Sequence, residues 1–113
     1  MARRRPAVLV LGAGLLLAGC AGTPDERACG LLEDVPDRVG QTSVEQLNEV
    51  AEAAREAESA ELRSIGEQLA LNLTRRRVLE NLAPGSFIEV IQANVDELRR
   101  ACRDLEATDD GST

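Results

Sequence analysis

The ionisable side chains of this chain are 20 carboxylates, 13 arginines and three thiols, because histidine, lysine and tyrosine are all absent, as is tryptophan. That leaves no imidazole to act as a base near neutral pH, no amine for a Schiff base and no aromatic platform for a sugar or nucleobase. Carboxylates alone can run glycoside hydrolysis when two of them flank a cleft. Here the densest group, Glu49, Glu52, Glu56, Glu58 and Glu61, has the spacing of a solvated helix face. A carboxylate-dependent hydrolase is therefore the least favoured reading, and no catalytic residue is assigned. No G-x-x-x-x-G-K-[ST] phosphate loop occurs, and Gly12-Ala13-Gly14 lies in an apolar leader. Asn72-Leu73-Thr74 matches a glycosylation sequon but falls within a helical pattern, where it reads as coincidence.

The context of the first thiol is specific. Arg3, Arg4 and Arg5 precede an unbroken run of apolar residues and glycine from Ala7 to Ala18, which ends in Leu17-Ala18-Gly19-Cys20. The run has the length of a signal-peptide core and is too short to span a bilayer. Taken alone, residues 6–20 also fit a buried helix or a signal peptide cleaved elsewhere. Taken together, the n-region, the core and the four-residue site resemble the lipobox of bacterial lipoprotein precursors. That resemblance covers only the first twenty residues. It implies a thioether-linked diacylglycerol on Cys20, cleavage between Gly19 and Cys20, and a mature protein anchored to the extracytoplasmic face of a bacterial cell membrane. Two acyl chains hold firmly where one binds reversibly, since each buried methylene contributes about 0.8 kcal/mol.

With Cys20 lipidated, Cys29 and Cys102 remain as one pair in an oxidising compartment and are expected to form a disulfide. The chain-entropy model gives such a cross-link about 4 kcal/mol. The competing readings are a metal site or a catalytic thiol. The chain has no histidine and the two cysteines lack nearby ligand spacing, so no metal or cofactor is expected. Cleavage leaves ten arginines against 20 carboxylates, a formal charge of −10. Such an acidic surface opposes nucleic acid and anionic lipid.

The elements that must position these groups are helical. Residues 1–19 read as signal peptide, 20–23 as a short tether, 24–106 as a single domain and 107–113 as a disordered tail. Thr23-Pro24-Asp25-Glu26 carries a capping residue, proline at the first helical position and glutamate at the third, and starts helix A. Ala28, Leu31, Leu32 and Val35 share one face until Val35-Pro36 ends it. Thr42-Ser43-Val44-Glu45 opens helix B, with Leu47, Val50, Ala51, Ala54 and Ala57 as its stripe. The phase slips before Leu62, which predicts a break near Ser59. Helix C then carries Leu62, Ile65, Leu69, Leu73, Val78, Leu79 and Leu82 to the Pro84-Gly85 turn. Ser86-Phe87-Ile88-Glu89 is a third capping box, opening helix D over about 87–106. Its stripe Ile88, Ile91, Val95, Leu98, Cys102, Leu105 has the a/d rhythm of lengthwise helix packing.

The expected fold is all-α: a small up-and-down bundle of one short and three longer helices, stapled by the disulfide. An intramolecular bundle is the first reading and a homodimer the second. The pole carrying Cys29 and Cys102 is expected close to the membrane, with Arg99, Arg100 and Arg103 beside it. Those arginines, and the run Arg75-Arg76-Arg77 on helix C, are candidates for partner or lipid-headgroup contact. Helix-dipole pairing and local carboxylates are their plainer roles. Three consecutive arginines fan around a helix, so at most two can face one partner. The functional expectation is a non-enzymatic envelope lipoprotein that binds another envelope protein or serves a structural role. The alternative is a carrier of an apolar ligand such as a lipid, suggested by an aliphatic core with one phenylalanine, Phe87.

Overall fold

The computed structural model describes residues 22–112, and of 109–112 only the backbone. Gly19, Cys20 and the whole leader lie outside the described residues. Among the described residues five α-helices follow one another: α1 (Pro24–Glu33), α2 (Val44–Arg55), α3 (Ala60–Leu73), α4 (Arg76–Leu82) and α5 (Ser86–Ser112), with a 3-10 turn at Val39–Gln41 before α2. No described helix is long and apolar enough to cross a membrane.

The helix starts follow local chemistry. Thr23 and Glu26 exchange hydrogen bonds, the Thr23 amide donating to Glu26 Oε1 at 2.9 Å and the Glu26 amide to Thr23 Oγ1 at 3.1 Å. These satisfy amides that the first turn of a helix leaves orphaned. At α2 the cap is Ser43, whose hydroxyl accepts from the Gln46 amide at 3.1 Å. The Gln46 side chain then donates to the Asp34 carbonyl at 3.1 Å, stitching the end of α1 to the start of α2. The break near Ser59 is present, and Ser59 caps α3 by accepting from the Leu62 amide. Thus B and C are two helices.

Packing runs as a ring: α1 against α2 and α5, α2 against α3, and α3 against α5. That is the expected all-α, up-and-down bundle. Leu62, Leu69, Ile91, Leu98, Val39, Val50 and Val95 are fully buried at its centre. The α2 stripe of Leu47, Val50, Ala51, Ala54 and Ala57 is buried throughout. Its small residues let α3 come close at Gly66, where an added Cβ would stand 2.7 Å from Ala54 Cβ and 2.9 Å from the Arg55 nitrogen. One polar side chain is buried in this core, Asn94, and it accepts from Asn72 Nδ2 at 2.9 Å, tying α5 to α3. The Cys29–Cys102 disulfide joins α1 to α5 across 73 residues of sequence.

Four expectations need correction. Helix C does not reach residue 82: α3 ends at Leu73, and a separate α4 begins at Arg76. The Thr74 hydroxyl donates to the Leu71 carbonyl at 2.7 Å and Arg75 leaves the helical region at φ −109°, ψ 29°. A side-chain hydroxyl bonded back to the preceding turn weakens and bends a helix without any proline or glycine. In consequence Val78 and Leu82 leave the core and are 59% and 74% exposed. Second, Ser86 does not cap α5. The Glu89 amide donates to the Gly85 carbonyl, and Gly85, at φ +85°, turns the chain so that Glu80 supplies the capping oxygens. Third, α5 continues past 106 to Ser112 rather than ending in a frayed tail. No proline stops it. Fourth, Ile88, first of the α5 stripe, is 40% exposed, forming a wall of an open surface groove with Pro36 and Gly40.

Candidate functional site

The antiparallel order of the bundle gives it two dissimilar poles. At one are the start of α1, the α2–α3 turn and the disulfide. Asp25, on the first turn of α1, reaches across to that turn: its Oδ1 accepts from the Glu58 amide at 2.7 Å and the Ser59 amide at 3.2 Å. Arg63 Nη1 donates to the Ala57 and Glu58 carbonyls at 3.0 and 2.8 Å, so both ends of the turn's backbone are satisfied. An exposed ion pair, Arg27–Glu56 at 3.6 Å, adds little in water. Asp25 was legible only as a first-turn acid. Its bridging role needs the turn brought beside it.

The first described residue, Gly22, has φ +84°, and a Cβ there would collide with Glu26 Oε1. Glycine is required for the chain to enter the capping box from that direction. Only Cys20 and Ala21 precede it if cleavage follows Gly19.

The arginines assigned near this pole divide. Arg99 turns inward: Nη2 donates to the Val35 and Pro36 carbonyls at 3.0 and 2.8 Å, and Nη1 to Asp96 Oδ1 at 3.2 Å. It holds the connection that follows α1, and Gln92 helps, accepting from the Val39 amide and donating to the Asp37 carbonyl, each at 2.9 Å. Arg99 is thus a structural clamp rather than an outward contact. Arg103 borders a shallow groove between α1 and α5 with Glu33 and Glu106, beside the disulfide. Arg100 is exposed.

The opposite pole carries α4 and the turn into α5. Glu80 is its hinge pin, with Oε2 accepting from the Phe87 amide at 2.9 Å and Oε1 from the Gly85 amide at 3.3 Å. These bonds, that from Phe87 first, hold its carboxyl below the ordinary value of 4.5, with the Arg76 charge assisting and desolvation opposing. Arg76 lies over the buried Phe87 ring, 5.3 Å from its centroid. The run Arg75-Arg76-Arg77 therefore splits. Arg76 is committed to α5, while Arg75 and Arg77 are exposed and make no ion pair among the described residues.

The five acids once considered for hydrolysis, Glu49, Glu52, Glu56, Glu58 and Glu61, are all exposed. Among the described residues with described side chains, Asp25 is the one acid that is half-buried, and its oxygen is occupied by backbone amides. No group of histidine, cysteine, aspartate and glutamate there could hold a metal. No protein-family model matches the chain, and neither a curated protein nor a solved structure is similar to it.

Proposed function

We propose that this protein is a lipid-anchored, extracytoplasmic module of the bacterial envelope that works by binding another envelope protein rather than by catalysis. The observation that carries the reading is the sequence Leu17-Ala18-Gly19-Cys20 placed three residues before the Thr23 cap. Lipid on Cys20 would leave almost no flexible tether between membrane and bundle. The Cys29–Cys102 disulfide supports an oxidising compartment. The bolting of α1 to the α2–α3 turn by Asp25 suits an end that bears the load of an anchor. Against catalysis stand the missing base and the solvent exposure of nearly all the acids. The experiment is mild-detergent co-purification of the full-length lipoprotein from its native envelope, with mass spectrometry of proteins and lipids together. A reproducible, stoichiometric protein partner is expected. Recovery without protein but with one enriched lipid species would replace this reading with that of an apolar-ligand carrier.

A further inference from the structure

α4 is a short helix whose inner side is spoken for. Arg76 and Glu80, one turn apart, face α5, the first on the Phe87 ring and the second on the Phe87 and Gly85 amides. Residues one turn apart share a face, so Val78 and Leu82 lie together on the other side. They are the two most exposed large apolar side chains among the described residues, at 59% and 74%, and α4 contains no buried residue. Arg75, three positions before Val78, and Arg77, its neighbour in sequence, are exposed and without an ion-pair partner among the described residues. The stripe is thus an aliphatic pair beside two free cations, on a protein whose mature charge is −10.

We infer that the outer face of α4 is the docking surface for a partner protein, and that it takes an acidic, amphipathic helical segment. This rests on the binding-module reading and names the chemistry of its partner. Two exposed arginines without an ion-pair partner attract carboxylates and draw an acidic segment to α4, where the aliphatic pair adds apolar contact that the other exposed arginines are not given. Val78 and Leu82 require apolar side chains in return, which a phosphate-rich polymer does not offer. A symmetric dimer through α4 would set four arginines against one another. A membrane surface is disfavoured by position, since α4 is at the pole opposite Thr23 and the anchor that precedes it. The arrangement also makes structural sense of Glu80 and Arg76. With the half-buried Leu79, which packs against the core, they hold α4 in place and leave Val78 and Leu82 outward.

The test is site-specific photocrosslinking of the full-length lipoprotein in its native envelope. A photoreactive residue is placed at Asn81, exposed beside the stripe, and a control at Glu49 on the exposed face of α2. Mass spectrometry identifies the captured segment. The expected product at Asn81 is a protein segment combining several carboxylates with aliphatic residues at helical spacing, absent from the Glu49 control. The double variants Val78→Ser/Leu82→Ser and Arg75→Glu/Arg77→Glu each reduce its yield about tenfold, the loss anticipated for one large apolar contact or a close charge pair. Helix content and the disulfide should be unchanged in both, because these side chains are exposed. Capture of phospholipid or of a second copy of this chain at Asn81, no product above the control, or a yield unaffected by both variants would overturn the inference. Should a stoichiometric partner co-purify while Asn81 stays silent, the inference fails and the binding-module reading survives. Should nothing co-purify, the reading itself fails.

Discussion

Gly66 and Gly30 make a paired prediction in which one chemical change has opposite signs. Both lie within helices, and replacing glycine by alanine in a helix interior gains about 1 kcal/mol from propensity alone. Around Gly30 an added Cβ meets nothing within 4 Å. Gly30→Ala should therefore show that gain in full. At Gly66 the same methyl would sit 2.7 Å from Ala54 Cβ, 2.9 Å from the Arg55 nitrogen and 3.1 Å from the Ala51 carbonyl oxygen. Two of these atoms are backbone and the third is a Cβ, so none can swing aside. α2 and α3 must separate instead. Overpacking of this kind costs about 1–3 kcal/mol, and with three immovable contacts the upper part of that range applies. Subtracting the propensity gain leaves a net destabilisation of about 1–2 kcal/mol, with each kcal/mol worth roughly 4–8 °C in a domain of this size. The assay is thermal unfolding of the full-length lipoprotein in mild detergent, followed by circular dichroism with the disulfide intact. A lower melting temperature for Gly66→Ala and a higher one for Gly30→Ala is the expected pattern. An unchanged or raised melting temperature for Gly66→Ala would refute the close α2–α3 approach.

Three further outcomes follow from other parts of the structure. Replacing Cys29 and Cys102 together by alanine should remove about 4 kcal/mol, the loop-closure value for a sequence separation of 73, read by denaturant titration against the oxidised protein. Glu80 has a carboxyl held below its ordinary 4.5, so its contribution to stability is present above the unfolded value and is lost as pH falls through the folded one. Melting temperatures of Glu80→Gln should accordingly show a shallower acid dependence below pH 4.5 than the parent, and an identical acid limb would contradict the capping role. Arg99→Ala strips donors from the Val35 and Pro36 carbonyls and should cost about 2 kcal/mol, typical of bonds with one charged partner, without altering any outward contact.

What sequence makes legible here is chemistry confined to neighbours. The Thr23–Glu26 box, the buried α2 stripe and the break capped by Ser59 depend on residues within a turn or two of one another, and all are present. The disulfide was reachable by elimination among three thiols. Other features required distant segments to meet. Asp25 bonds amides 33 and 34 residues away, and Arg99 serves carbonyls more than 60 positions upstream. Glu80 is nearer, yet it looked like one more surface acid because its role depends on the positive φ of Gly85. The division between α3 and α4 hid for a different reason. Val78 and Leu82 extend an apolar pattern that already runs through Leu73, so their types argue for burial, whereas the chain leaves the helical region at Arg75 and turns them outward. The candidate surface was thus half visible, as an arginine run with no reason for its position. Its apolar half had been assigned to the core.

Anchoring of the bundle to a membrane depends on Cys20. Intact mass spectrometry of the protein extracted from its native membrane, with fractionation of Cys20→Ala alongside, tests it in one step. A mature chain beginning at Cys20 and carrying diacylglycerol, with the variant unprocessed or released from the membrane, is the predicted result. A Cys20 without lipid, or a Cys20→Ala protein that is correctly processed and still firmly anchored, would contradict it.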